Sequence, residues 1–218
     1  MIGTGWVAVT QRVIGFRQER GDYLDGRWAR LLAGHRILPV PGDVAAARFQ
    51  LEGVPLAAIV LTGGNDLSGL PGADDVADDR DRIEQHLLEL ATECRIPVGG
   101  ICRGAQLIAR SLGAQLGDDA PGHAGTRHTL TATGSVPAAW HWPGQFDVAS
   151  HHRYTLPALD RLPADLVALA TAADGTVEAF AHRTLPWLGL MWHPEREDRA
   201  SGRGPASRAL LHLLNPTP

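Results

Sequence analysis

Pro97-Val98-Gly99-Gly100-Ile101-Cys102-Arg103-Gly104-Ala105-Gln106-Leu107-Ile108 carries an apolar run straight into a helical pattern through a Gly-x-Cys-x-Gly turn. A strand that turns this sharply into a helix needs small residues on both sides, because the central residue sits in a strained bend with its side chain presented outward. Gly100 and Gly104 meet that need. At the start of the following helix, unpaired N–H groups and the positive end of the helix dipole favour an anionic sulfur on Cys102, and the N–H of Arg103 is placed to bind an oxyanion. By itself the stretch also fits a small buried cysteine in a glycine-rich strand end.

Working outward, Trp6–Thr10, Ile37–Val40, Ala57–Thr62 and Pro97–Ile101 are short, apolar and rich in β-branched residues, each bounded by Gly, Pro or polar residues. They read as buried parallel strands. Between them, Tyr23, Trp28, Leu31 and Leu32 mark one helical face, and Ile83, Leu87, Leu88 and Leu90 mark another. This alternation predicts an α/β sheet. After Arg110 the runs Arg127–Ala132, Gln145–Ala149, Leu166–Ala170, Thr176–Ala181 and Trp187–Trp192 are separated by turn residues, so the second half is richer in strand. A last helix is expected from about Pro205 to Leu214.

Composition narrows the function classes. The 218 residues are 44% hydrophobic, enough for one sizeable core, and a single domain over 1–218 is the expectation. The formal net charge of −4, with no basic block, argues against a nucleic-acid footprint. Met1 to Thr10 lacks the features of a signal peptide and no apolar run is long enough to span a bilayer, so a cytoplasmic protein with no membrane partner is expected. Two cysteines, Cys94 and Cys102, make neither a disulfide framework nor a structural zinc site.

Two further stretches bear on Cys102. Leu188-Gly189-Leu190-Met191-Trp192-His193-Pro194-Glu195 delivers a histidine and then a carboxylate at the end of an apolar run. A nucleophilic thiol needs a base and the base needs an orienting partner; in extended backbone His193 and Glu195 would point to the same side. Leu61-Thr62-Gly63-Gly64-Asn65-Asp66 places two adjacent glycines after a strand, where the backbone is free to aim N–H groups at a ligand. Taken one at a time, each is equally an ordinary polar exit from a sheet.

Together and in this order, the Gly-Gly loop, the Gly-Ile-Cys-Arg-Gly-Ala-Gln elbow and the Trp-His-Pro-Glu strand end resemble the class I glutamine amidotransferase-like superfamily. Gln11-Arg12-Val13, Arg20 and Tyr23-Leu24-Asp25-Gly26-Arg27-Trp28 look most like its stand-alone γ-glutamyl hydrolases. The resemblance implies an α/β flavodoxin-like three-layer sandwich with a central, mostly parallel sheet and an additional smaller β region. It implies Cys102 as nucleophile, His193 and Glu195 as its partners, and Gly64 and Arg103 as backbone oxyanion donors. Gln106 matches a position that holds the glutamyl group. Val148-Ala149-Ser150-His151-His152 looks like the segment that contacts the α-amino and α-carboxylate groups, one residue short, which makes Ser150 and His151 candidates for substrate binding. Ala109-Arg110 and Leu112-Gly113-Ala114 depart from the usual pattern just after the elbow. His123 and His128 resemble a family pair, but with no third ligand or carboxylate at suitable spacing no metal site is expected.

The expected activity is therefore cysteine-dependent hydrolysis of a γ-glutamyl amide through a thioester on Cys102, without metal or organic cofactor. The small-molecule substrate expected is a γ-glutamyl amine or a glutamine-derived biosynthetic intermediate, such as a nucleotide-linked one. The rival readings are a glutaminase subunit that passes ammonia to a separate synthase partner, and a non-catalytic binding protein on the same fold. A homo-oligomer is compatible with the pattern.

Overall fold

The computed structural model describes residues 5–117, 122–197 and 204–215. In chain order the elements are β1 (Trp6–Thr10), β2 (Arg12–Phe16), β3 (Glu19–Tyr23), α1 (Gly26–Leu31), β4 (Arg36–Val40), α2 (Val44–Leu51), β5 (Leu56–Leu61), α3 (Asp78–Cys94), β6 (Val98–Ile101), α4 (Arg103–Ser111), β7 (Thr126–Ala132), β8 (Gln145–Ser150), β9 (Leu166–Ala172), β10 (Val177–His182), β11 (Trp187–Leu190) and α5 (Pro205–Leu214).

Nine of these strands form one sheet in the order β4-β1-β5-β6-β11-β10-β9-β7-β8. The five from β4 to β11 are parallel; numbered among themselves along the chain they follow 2-1-3-4-5, the flavodoxin-like order. From β11 onward every pairing is antiparallel, so the strand-rich second half extends the same sheet rather than forming a separate layer. Only the β2–β3 hairpin stands apart as a two-stranded sheet.

The parallel strands are apolar on both faces because helices cover both. Ile59 and Leu61 of β5 pack with Ile83, Leu87, Leu107 and Ile108 of α3 and α4 on one side. Ala58 and Val60 pack with Trp28 and Leu31 of α1 and Leu210 and Leu214 of α5 on the other. This is the three-layer α/β fold expected from the sequence. One element differs. Tyr23 does not share the helical face of Trp28 and Leu31; it ends β3, exposed, and α1 starts only at Gly26, where Asp25 accepts the N–H of Arg27 at 2.9 Å.

Because β1, β5, β6 and β11 run the same way, Thr10, Thr62, Cys102 and His193 emerge at one edge of the sheet, the carboxyl edge where α/β folds place ligands. The turn from β6 into α4 is packed too tightly for side chains. A Cβ on Gly104 would lie 2.2 Å from the Leu61 carbonyl oxygen, and one on Gly100 would lie 2.7 Å from the Gly104 backbone. Gly104→Ala must therefore push β5 and α4 apart, and we expect a loss of about 1–3 kcal/mol or more in stability, read as a lower urea midpoint at unchanged slope.

Candidate active site

Cys102 sits between β6 and α4 with φ 53° and ψ −107°, a left-handed conformation rare for a residue with a side chain. Such strain costs on the order of 1–3 kcal/mol and persists only where the surroundings over-determine it. Here the Cys102 N–H donates to the Leu190 carbonyl of β11 at 2.7 Å, and Gly100 and Gly104 are pinned on either side. Cys102 is buried, and the first-turn N–H of Arg103 beside it has no intrahelical acceptor.

His193 follows β11 and is also buried. Its Nδ1 lies 2.7 Å from Oε1 of Glu195. The extended backbone expected between them is absent: Pro194–Arg196 form a short 3₁₀ turn, and the turn, not strand alternation, brings the carboxylate back to the ring. That turn is anchored from behind, where Glu197 accepts the N–H groups of Ala206 and Ser207 at the start of α5, and Ser207 donates to the Pro194 carbonyl. Burial by itself would lower the His193 pKa, but hydrogen bonds to Cys102 and Glu195 outweigh it and hold the imidazole at about 9.

The Gly63-Gly64 backbone passes flush against both groups. A Cβ on Gly63 would lie 2.7 Å from His193 Cε1 and 3.3 Å from Cys102 Cβ. Gly64, at φ +85°, lies under the guanidinium of Arg12. This loop owes its position to Arg80, a buried side chain that donates to the carbonyls of Thr62 (2.7 Å), Gly63 and Gly64 and to Asn65 Oδ1 (3.0 Å). Arg80 also donates to Glu84 Oε1 at 2.9 Å, while the other Glu84 oxygen and Asp81 take the Arg103 side chain. Desolvation lowers Arg80 to about 10; it pushes Glu84 the other way, yet the Arg103 and Arg80 charges win and hold Glu84 below its ordinary value.

The pocket in front of Cys102 is lined by His193, Gly64, Arg103, Gln106 and His151, and by Arg12, Arg153, Asp66 and Asp75. Gln106 is buried and spends its Nε2 on the Tyr154 carbonyl at 2.8 Å, so it anchors the 151–154 loop as well as lining the pocket. The His151 ring stands 5.7 Å from that of His193, and burial together with Arg196 and His193 lowers its pKa. Ser150 is not brought to this pocket: it is completely buried on β8, and its hydroxyl has no partner among the described residues.

Arg12, which the sequence alone gave no role, has a buried Nε without a partner among the described residues, and Asn65 fixes its strand by bonding both backbone groups of Val13. The sequence signal for Arg80 and Glu84 was their i, i+4 spacing on the same helical face as Ile83, Leu87 and Leu88. His123 also has the company it lacked on paper: His152 and Glu178, with ligand atoms within 4.8 Å of one another. The third ligand and the carboxylate come from distant strands, which spacing cannot reveal.

Residues 32–195 match the family described as Peptidase C26. The chain is 34% identical over 200 residues to the γ-glutamyl-CDP-amidate hydrolase of Campylobacter jejuni, covering 88% of this chain and 91% of that one. It is 30% identical over 162 residues to the carbamoyl phosphate synthase small chain of Nitratidesulfovibrio vulgaris, but spans only 38% of that relative's length. A solved glutamine amidotransferase of Thermotoga maritima superposes with a TM-score of 0.67 at 15% identity, over 98% of this chain and 99% of the other, and so shares the fold. Among the described residues no helix is long and apolar enough to cross a membrane.

Removing the Glu84 carboxylate leaves the buried Arg80 guanidinium without its counter-charge and Arg103 with Asp81 alone. Glu84→Ala should cost about 3–5 kcal/mol, seen as a lowered denaturation midpoint.

Proposed function

The chain belongs to the Peptidase C26 family, and from that premise we propose that it hydrolyses a γ-glutamyl amide bond, with Cys102 as nucleophile, His193 as acid and base and Glu195 as the residue that orients it. The observation that carries this reading is the contact set at the elbow: Cys102 in its strained turn, touched by a histidine whose far nitrogen lies 2.7 Å from a buried carboxylate.

In the proposed cycle the Cys102 sulfur attacks the γ-carbonyl carbon, and the oxygen that becomes negative is received by the N–H groups of Gly64 and Arg103. His193, charged in the resting site, hands its proton to the leaving amine as the C–N bond breaks, leaving a γ-glutamyl thioester. Neutral His193 then takes a proton from water, whose hydroxide attacks the thioester and releases glutamate. Every step uses groups of this chain.

The pocket supports a glutamyl substrate because it carries both signs of charge, as the α-amino and α-carboxylate groups require. Arg12, whose Nη2 pairs with Asp75 at 3.6 Å, offers an unpartnered buried Nε–H to the carboxylate, and the Asp66 and Asp75 carboxylates in the same lining suit the ammonium. Arg153 and Arg196 at the rim suit an anionic leaving group, which agrees with the nucleotide amidate named for the Campylobacter jejuni relative. The likeness to a synthase small chain favours the second reading, a glutaminase that passes ammonia to a partner.

The test is glutamate release by the purified chain alone from γ-glutamyl amines, glutamine and a γ-glutamyl nucleotide amidate. We expect release from an amidate or amine, lowered about 10⁴-fold or more by Cys102→Ala. Release from glutamine only when a synthase is added would establish the second reading, and no release from any substrate would sink both.

The pH profile follows from His193. Its value is about 9 in the fold against about 6.5 when free, so its contribution to stability is complete below about 6.5 and is lost as pH rises through about 9. Proton delivery to the amine fails in the same range. kcat/KM should therefore fall as pH rises through about 9, and in Glu195→Gln, which loses one of the interactions that raise the imidazole, that fall should move to lower pH.

A further inference from the structure

Behind the 151–154 loop, in the antiparallel part of the sheet, four side chains from separate segments meet. His123 comes from the turn before β7, His128 from β7, His152 from the end of β8 and Glu178 from β10. His123, His152 and Glu178 are 3%, 2% and 1% exposed, which is rare for a carboxylate unless it is paired or ligates a metal.

Two hydrogen bonds on the outside of the cluster decide which ring nitrogens face inward as acceptors. His152 Nδ1 lies 3.1 Å from the Tyr154 carbonyl oxygen, which can only accept, so that nitrogen carries the hydrogen and a neutral ring leaves Nε2 as a lone pair. His123 Nε2 lies 2.9 Å from Asp174, whose carboxylate is itself held by the N–H and hydroxyl of Thr176, so Nδ1 is the free nitrogen. Both inward nitrogens lie 3.2 Å from the same oxygen, Oε1 of Glu178, and His128 Nε2 lies 3.7 Å from Oε2.

These atoms are close without being bonded to one another. All three nitrogens and both Glu178 oxygens lack a hydrogen-bond partner among the described residues: the two 3.2 Å approaches miss hydrogen-bonding alignment, and His128 at 3.7 Å is too distant. Lone pairs crowded round a buried carboxylate repel unless a positive charge lies among them, either a proton on His123, whose pKa Glu178 and Asp174 raise to about 9, or a metal ion. The two 3.2 Å separations are close to the edge of about 3.3 Å expected when ligands stand about 2.0–2.1 Å from a tetrahedral zinc ion, and the full set of three donor atoms, which spans up to 4.8 Å, would draw in around the ion. The Asp174–His123 bond has the form of the outer carboxylate that orients a metal-bound imidazole.

We propose that His123, His152 and Glu178, with His128 as the fourth donor, bind a divalent cation of the zinc class. The ion is structural: four protein donors close the tetrahedron and leave no open position for substrate or water. It would tie β7 and β10 to the loop whose Tyr154 carbonyl also receives Gln106 and whose His151 faces His193. The site is separate from Cys102 and does not depend on which amide is cleaved.

The experiment is a titration of the full-length, metal-stripped chain with zinc against a chromophoric chelator, in a Cys94→Ala/Cys102→Ala background so that neither thiol contributes. The expected result is one ion per chain with a submicromolar Kd, weakened about 100-fold or more by His152→Ala and by Glu178→Gln. Cobalt in place of zinc should give the intense visible bands of a tetrahedral ion. His128→Ala, at a partly exposed position, should bind more weakly in a chain whose circular dichroism matches the parent. Absence of stoichiometric binding by the folded parent chain, or binding that His152→Ala leaves unchanged, would overturn the proposal and assign the cluster to protons alone.

Discussion

The carboxylate of Glu84 has no exposure to water and faces two guanidinium groups, those of Arg80 and Arg103. With Asp81, which takes Arg103 and, at the outer end, Arg110 at 3.9 Å, the buried charges on the two neighbouring helices are all paired. Buried ion pairs are a poor source of stability, since apolar residues of similar size often do as well. What apolar residues cannot do is give direction. Arg80 reads out three consecutive carbonyls of the 62–64 loop, and Arg103 is the residue after Cys102, so one buried network fixes both strand ends that face the thiol. Without it the Gly63-Gly64 backbone loses the Arg80 bonds that hold it against Cys102 and His193.

This explains why the elbow can hold Cys102 at a positive φ. Strain in a single residue is kept only if its neighbours cannot relax. On one side Gly104 is in van der Waals contact with β5, on the other the Cys102 N–H is bonded to β11, and below it Arg103 is fastened to α3. Three elements converge on the turn between β6 and α4. The sheet order brings β5, β6 and β11 side by side, and the same order places Thr10 of β1 within hydrogen-bonding reach of Thr62.

Much of this was legible in the sequence, and the rest was hidden for identifiable reasons. The parallel strands were visible because burial on both faces forces continuous apolar runs, and the elbow because sterics allow only glycine at positions 100 and 104. The hairpin of β2 and β3 was not visible: its residues are mostly half-buried or exposed, so no periodicity marks them, and Tyr23 mimicked a helical position. Arg80 and Glu84 lie in Asp78-Asp79-Arg80-Asp81-Arg82-Ile83-Glu84, which has the composition of a solvated helix start, and only the apolar stripe around them betrays that two of its charges point inward. Ser150 was placed in the pocket by a local match one residue short; a slip of one residue along a strand moves a side chain to the opposite face, and the serine is on the buried one.

The same loop that carries His151 into the pocket continues into His152, whose ring turns the other way, toward Glu178. Consecutive residues in extended backbone must face opposite sides, so one dipeptide serves the thiol on one side and the histidine cluster on the other. The Tyr154 carbonyl closes the connection by accepting from both His152 Nδ1 and Gln106 Nε2. Any change in what holds His152 is therefore felt at Gln106, in the helix that begins at Cys102, without a group of the cluster touching the substrate. The buried arginines fix the pocket from the α3 side and the histidine cluster lies on the β10 side, while at the rim Arg12 pairs with Asp75, Arg153 donates to the Gly72 carbonyl and Arg196 pairs with Glu195.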